Sequence, residues 1–115
     1  MSASVIREQW DRLRAAYDAA HAAADGASLA CEIALPELRD SIVDASDEAN
    51  HVEYVAWQAV MKAQAPDLSA VHWKLIEIFG NPGRERIEGG LADQWLFDLT
   101  NVILSDVARL TGGEA

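Results

Sequence analysis

Apolar and polar residues alternate with a helical period along most of the chain, most regularly from Pro36 to Ala65. Leu38, Ile42, Ala45, Ala49, Val52, Ala56, Ala59 and Ala63 follow one another in alternating steps of four and three. At about 3.6 residues per turn, such positions return to one face. Glu37, Asp40, Asp44, Asp47 and Glu48 lie off that face. The stretch reads as one long amphipathic helix, apolar inside and acidic outside, of roughly 45 Å. Pro36 suits its first turn, where a missing N–H breaks no bond. Pro66 ends it.

The same periodicity predicts three more helices. The first starts near Ser4, with Ser2 or Ser4 as N-cap, and aligns Trp10, Leu13, Tyr17, Ala20 and Ala24. Gly26 costs a helix about 1 kcal/mol against Ala. The helix is therefore expected to end or bend at Asp25–Gly26, and Ser28 to cap a short piece from Leu29 to Ala34. Leu29, Cys31, Ile33 and Leu35 also alternate as in a strand, but no second strand is present to pair with it. Asp67 caps a third helix, with Leu68, Val71, Leu75, Ile78 and Phe79 facing inward. Gly80-Asn81-Pro82-Gly83 stops it, and a connection runs on to Gly89-Gly90. The fourth helix runs from about Leu91 to Leu110. Leu91, Trp95, Leu99, Val102, Ile103, Val107 and Leu110 form its apolar face, with Phe97 and Leu104 opposite.

Helices near 4–25, 36–65, 67–79 and 91–110 predict an all-α fold, a four-helix bundle-like domain with one long central helix. It is read as a single domain over 1–110 with a frayed tail at 111–115. The expected core contains Leu13, Tyr17, Leu38, Ile42, Val52, Leu75, Leu99 and Val102.

Charge narrows the partners. Nineteen acids against nine Lys and Arg give a net charge of −10. Such a surface repels nucleic acid and anionic lipid, so no direct nucleic-acid binding is expected. No apolar run is long enough to span a membrane. The N-terminus lacks a basic segment followed by an apolar one, and a lone Cys31 makes no internal disulfide. These features point to a reducing cytoplasm.

Catalytic chemistry finds little support. Asp18-x-x-His21 and Glu48-x-x-His51 place an acid three residues before a His, as carboxylate-bridged di-metal bundles do. Glu77 with Asp98 or Asp106 would have to supply the remaining ligands. However, Glu48 and His51 sit roughly 80° and 140° from the centre of the long helix's apolar stripe, whereas such ligands point inward. No metal or other cofactor is expected. Cys31 stands beside Glu32 in an apolar context, unlike a reactive thiol, and reads as a small buried side chain. No nucleophile turn and no phosphate-binding loop occurs. The 80–90 connection, with Arg84, Arg86 and a following helix N-terminus, reads as an interhelical link with at most a weak anion contact. Asp106 falls in the apolar sector of the fourth helix, where Arg109 can pair with it and the helix end is expected to be partly exposed.

Aromatic placement is more informative. Trp57 and Trp73 lie roughly 100° and 160° from the centres of their helices' stripes. With Phe97 and Leu104 they outline a second apolar surface, and Trp is enriched among interface anchors. These four are the candidate partner-binding residues. The acidic row Glu37, Asp40, Asp44, Asp47 and Glu48 is the alternative site.

Two segments carry a resemblance, Trp10-x-x-Leu13-x-x-x-Tyr17 and the run from Ala65 through Pro66-Asp67 and His72-Trp73 to Leu75. Together they resemble uncharacterised small helical proteins of alphaproteobacteria, often encoded near phage-like or mobile DNA. The resemblance implies a bacterial, mobile-element setting and no particular activity. The reading is a non-catalytic protein-interaction module, acting on itself or on a partner. The alternative is a nucleic-acid-mimicking inhibitor of a host restriction or CRISPR effector.

Overall fold

The computed structural model describes residues 2–80 and 93–112, with the backbone alone at 93–95. Every regular element among them is helical: α1 (Ala3–Ile33), a 3-10 turn (Pro36–Leu38), α2 (Arg39–Lys62), α3 (Leu68–Phe79) and α4 (Asp93–Leu110). The chain is all-α, of helical-bundle type. Two compact units divide it. One is contiguous, Asp11–Val60; the other is split, Met1–Trp10 with Met61–Ala115.

In the contiguous unit, α1 continues without interruption through Gly26. The expected break is absent because Ala22, Ala23, Ala24 and Ala27 surround the glycine with the strongest helix formers. The inward positions of α1 are as expected, with Tyr17 and Ala24 buried and Leu13 and Ala20 half-buried. Leu35 is extended, as a residue before proline prefers. The chain then turns through Pro36–Leu38, where the Leu38 N–H donates to the Leu35 carbonyl at 3.0 Å. The long helix is thus a 3-10 turn followed by a 24-residue α-helix that ends at Lys62. The Cys31 thiol donates to the Ile42 carbonyl at 3.5 Å, joining the end of α1 to the start of α2. Cys31 is half-buried rather than enclosed.

None of the eight stripe positions is fully buried, though Ile42, Ala49, Ala56, Ala59 and Ala63 are half-buried. Ser46, Trp57 and Val60 are buried and Glu53 half-buried, whereas Leu38 and Val52 are mostly exposed. The helix is rotated by roughly 80° from the expected orientation. An alanine buries one methyl group, while a tryptophan buries roughly 150–250 Å². One Trp57 therefore outweighs several alanines. Trp57 is 0% exposed and stacks on Tyr54 at 6.2 Å, which removes it from any outward-facing apolar surface.

In the split unit, Ser2 caps α1, its hydroxyl accepting from the Val5 N–H at 3.3 Å. Ile6 and Trp10 are buried. Asp67 caps α3 as expected, accepting the Ala70 N–H at 2.8 Å. Gly80 closes the helix, its N–H donating to the Ile76 carbonyl at 2.7 Å. A Cβ at Gly80 would lie 2.5 Å from that same oxygen, so only glycine fits without a shift. The buried side of α3 is Ala70, Val71, Lys74, Glu77 and Ile78. Leu68, Leu75 and Phe79, expected inside, are exposed, a rotation of roughly 90°. On α4, Leu99 and Ile103 are buried and Val102 and Leu110 half-buried, as expected, while Val107 is exposed. Leu91 and the side chain of Trp95 lie outside the described residues, as does the connection from Asn81 to Gly90.

Candidate functional site

The rotation of α3 has an electrostatic cause. Asp106 of α4 is 2% exposed and Lys74 of α3 is 0% exposed, and the Lys74 ammonium donates to Asp106 Oδ2 at 2.6 Å. Nζ also donates to the Ala63 carbonyl at 2.5 Å. The other carboxylate oxygen, Oδ1, accepts the Ala65 N–H at 3.0 Å and Arg109 Nη2 at 3.2 Å. Arg109 donates in addition to the Ala65 carbonyl. Burying a charge is costly unless it is paired and hydrogen-bonded, and both oxygens of Asp106 are served. The expectation that the helix end at Asp106 is partly exposed is therefore corrected. Arg109 pairs with it as anticipated, but the main counter-ion is Lys74.

The lysine's remaining side faces an indole. Nζ lies 5.5 Å from the Trp10 ring centroid, within cation–π range. Trp73 meets Trp10 edge to face, at 5.8 Å and 85°. Trp73 is thus half-buried and engaged in packing, not a free-standing anchor. Burial lowers the Lys74 pKa, and the Asp106 carboxylate acts against that shift. Asp67 adds a second link: Arg7 pairs with it and holds its carboxyl below the ordinary range, with the Ala70 N–H acting in the same direction. A lysine enclosed to this degree reaches no substrate. The cluster ties the start of α1, the 63–67 connection, α3 and α4 into one packed unit.

In the contiguous unit, His21 lies between two carboxylates, with Nε2 3.3 Å from Asp25 and Nδ1 3.2 Å from Glu53. Tyr17 lies against its ring at 5.8 Å. Both ring nitrogens face acids, so His21 serves as a bridge between α1 and α2. The sequence motif had offered Asp18 as its companion. Among the described residues, no group of three or more His, Cys, Asp and Glu side chains is arranged to hold a metal ion. His51 and Glu48 are exposed. No helix among the described residues is long and apolar enough to cross a membrane.

Large apolar side chains stand outward on both α3 and α4. Phe97 and Leu104 are 62% and 59% exposed and, seven residues apart, share one side of α4. On α3, Leu68, His72, Leu75, Ile76 and Phe79 form an exposed face, four of them lining an open groove with Gly80. Glu37, Asp40, Asp44, Asp47 and Glu48 are all exposed. Asp11–Val60 holds ten acids against Arg12, Arg14 and Arg39, and so carries −7 of the total −10.

No protein-family model, curated protein or solved structure matches the chain.

Proposed function

We propose that the chain is a non-catalytic interaction module that binds protein, its own kind included, through exposed apolar helix faces. The observation that carries this is the pair Phe97 and Leu104. Both stand in solvent on one side of α4, while Leu99, Ile103 and Asp106 occupy the buried side. Large apolar side chains aligned on an exposed face mark interaction sites more often than scattered ones do. The enclosed Lys74–Asp106 pair fits a packing role rather than catalysis. Sedimentation equilibrium and capture from a bacterial lysate, run on the parent and on a Phe97→Ser/Leu104→Ser variant, test it. Self-association or capture should weaken about tenfold or more in the variant. A parent that neither self-associates nor captures protein in a Phe97- and Leu104-dependent way overturns it.

A second reading, mimicry of nucleic acid, is favoured by the charge of Asp11–Val60 and by the mobile-element setting that the resemblance implies. It predicts capture that falls steeply with salt and vanishes when Asp40, Asp44 and Asp47 are reversed to Lys.

A further inference from the structure

The corner of the contiguous unit, where α1 turns into α2, exposes an unusual set of side chains. Leu29, Ile33, Leu35 and Leu38 are 58%, 76%, 60% and 53% exposed. Leu29 and Ile33 stand one turn apart on the last turns of α1, and Leu35 and Leu38 are joined by the hydrogen bond of the 3-10 turn. The Cys31–Ile42 contact holds α2's first turn to α1's last, so these four belong to a fixed corner rather than a loose tail. Scattered exposed leucines need no explanation, but four large ones within ten residues do.

Their neighbours along the chain identify the occupant. Glu32, Glu37 and Asp40 are exposed among the four, and Arg39 is the only base from residue 25 to residue 40. A second copy would bring like charges together around its own apolar contact, which is unfavourable. An anionic membrane is repelled for the same reason. Among the described residues, the exposed face of α3 carries no such set of acids. We propose that the α1–α2 corner docks a basic amphipathic helix of a protein partner. Its apolar side chains seat on Leu29, Ile33, Leu35 and Leu38, and its Lys or Arg side chains meet Glu32, Glu37 and Asp40. This rests on the interaction reading above and gives the partner's chemistry, following the helix-in-groove mode of recognition.

The probe is a fluorescent Leu/Lys peptide of roughly five turns patterned as an amphipathic helix, with a scrambled peptide of the same composition as control. Fluorescence anisotropy at low salt should show the patterned peptide binding about tenfold or more tighter than the scrambled one. Ile33→Ser/Leu38→Ser and Glu32→Lys/Glu37→Lys should each weaken it about tenfold or more, with unchanged circular dichroism, because all four positions are exposed. Equal binding of both peptides, or binding indifferent to Ile33→Ser/Leu38→Ser, reduces the effect to diffuse charge and overturns the proposal. A homodimer that Ile33→Ser/Leu38→Ser dissociates also overturns it, by assigning the corner to a second copy. Loss of the peptide effect alongside intact Phe97- and Leu104-dependent association removes this proposal and leaves the interaction reading standing.

Discussion

The two compact units handle charge in opposite ways. In the split unit, the decisive charges are inside. Lys74 and Asp106 meet in the core, and Arg109 and the backbone of Ala63 and Ala65 complete their hydrogen bonds. In the contiguous unit, no charge is fully buried: Asp40, Asp44, Asp47 and Glu48 face water, and Glu53 is half-buried against His21. Buried charges restrict which packing is allowed, because any misplacement leaves an ion without a partner. Exposed carboxylates restrict almost nothing about the fold and instead govern what approaches the surface.

Substitution separates the two cases. The largest effect is expected from Asp106→Ala, which strands the Lys74 ammonium and the Ala65 N–H and should cost about 3–5 kcal/mol. Chemical denaturation measures it. Lys74→Met/Asp106→Leu should recover part of that loss, since an apolar pair needs no counter-ion but leaves the Ala65 N–H and Ala63 carbonyl unpaired; no recovery at all would show that the backbone contacts, not charge, set the cost. Trp57→Ala probes the contiguous unit and should cost about 3–5 kcal/mol. A melting temperature near the parent's would contradict its enclosure.

Smaller effects sharpen the contrast. Asn caps a helix as well as Asp does, so Asp67→Asn isolates the charge pair with Arg7. The folded pKa of Asp67 is depressed. The stabilisation is therefore present above the unfolded value of about 3.9 and is lost as pH falls through the folded value. Because the pair is solvent-screened, Asp67→Asn should cost about 1 kcal/mol or less at neutral pH. The difference from the parent should disappear in acid melts. Gly26→Ala should raise stability by about 0.5–1 kcal/mol, since the helix is continuous there and a Cβ meets nothing within 4 Å. A loss would mean that the helix needs flexibility at that point. Reversing Asp40, Asp44 and Asp47 to Lys should shift stability by no more than about 0.5 kcal/mol per site. Thermal melts at two salt concentrations check this.

The helices and their caps were legible in the sequence, because they follow from local chemistry. Asp67, Pro36, Pro66 and Gly80 each act within a turn of their own position, and the periodicity of α4 placed Leu99 inside and Phe97 and Leu104 outside. Rotations were not legible. A stripe of alanines is regular but has little area to bury, so its period overstated its weight against Trp57. On α3, the apolar period placed Leu68, Leu75 and Phe79 inward. Only the meeting of Lys74 with Asp106, 32 residues away, reverses that choice. Of the candidate interface, Phe97 and Leu104 could be read from angles alone. Trp57 and Trp73 could not, since their partners are set by tertiary packing. The corner at Leu29–Leu38 was hidden for the same reason: its residues were assigned to the core or to a short separate helix.

The separation of Lys74 from Asp106 also bears on how the chain is made. At about 5–20 residues per second, a ribosome adds Asp106 roughly 2–6 s after Lys74. During that interval the lysine has no carboxylate to meet and stays hydrated. Asp11–Val60 is complete in the nascent chain well before then, while the split unit waits for its last helix. Synthesis therefore delivers the acidic unit first and locks the charged core last.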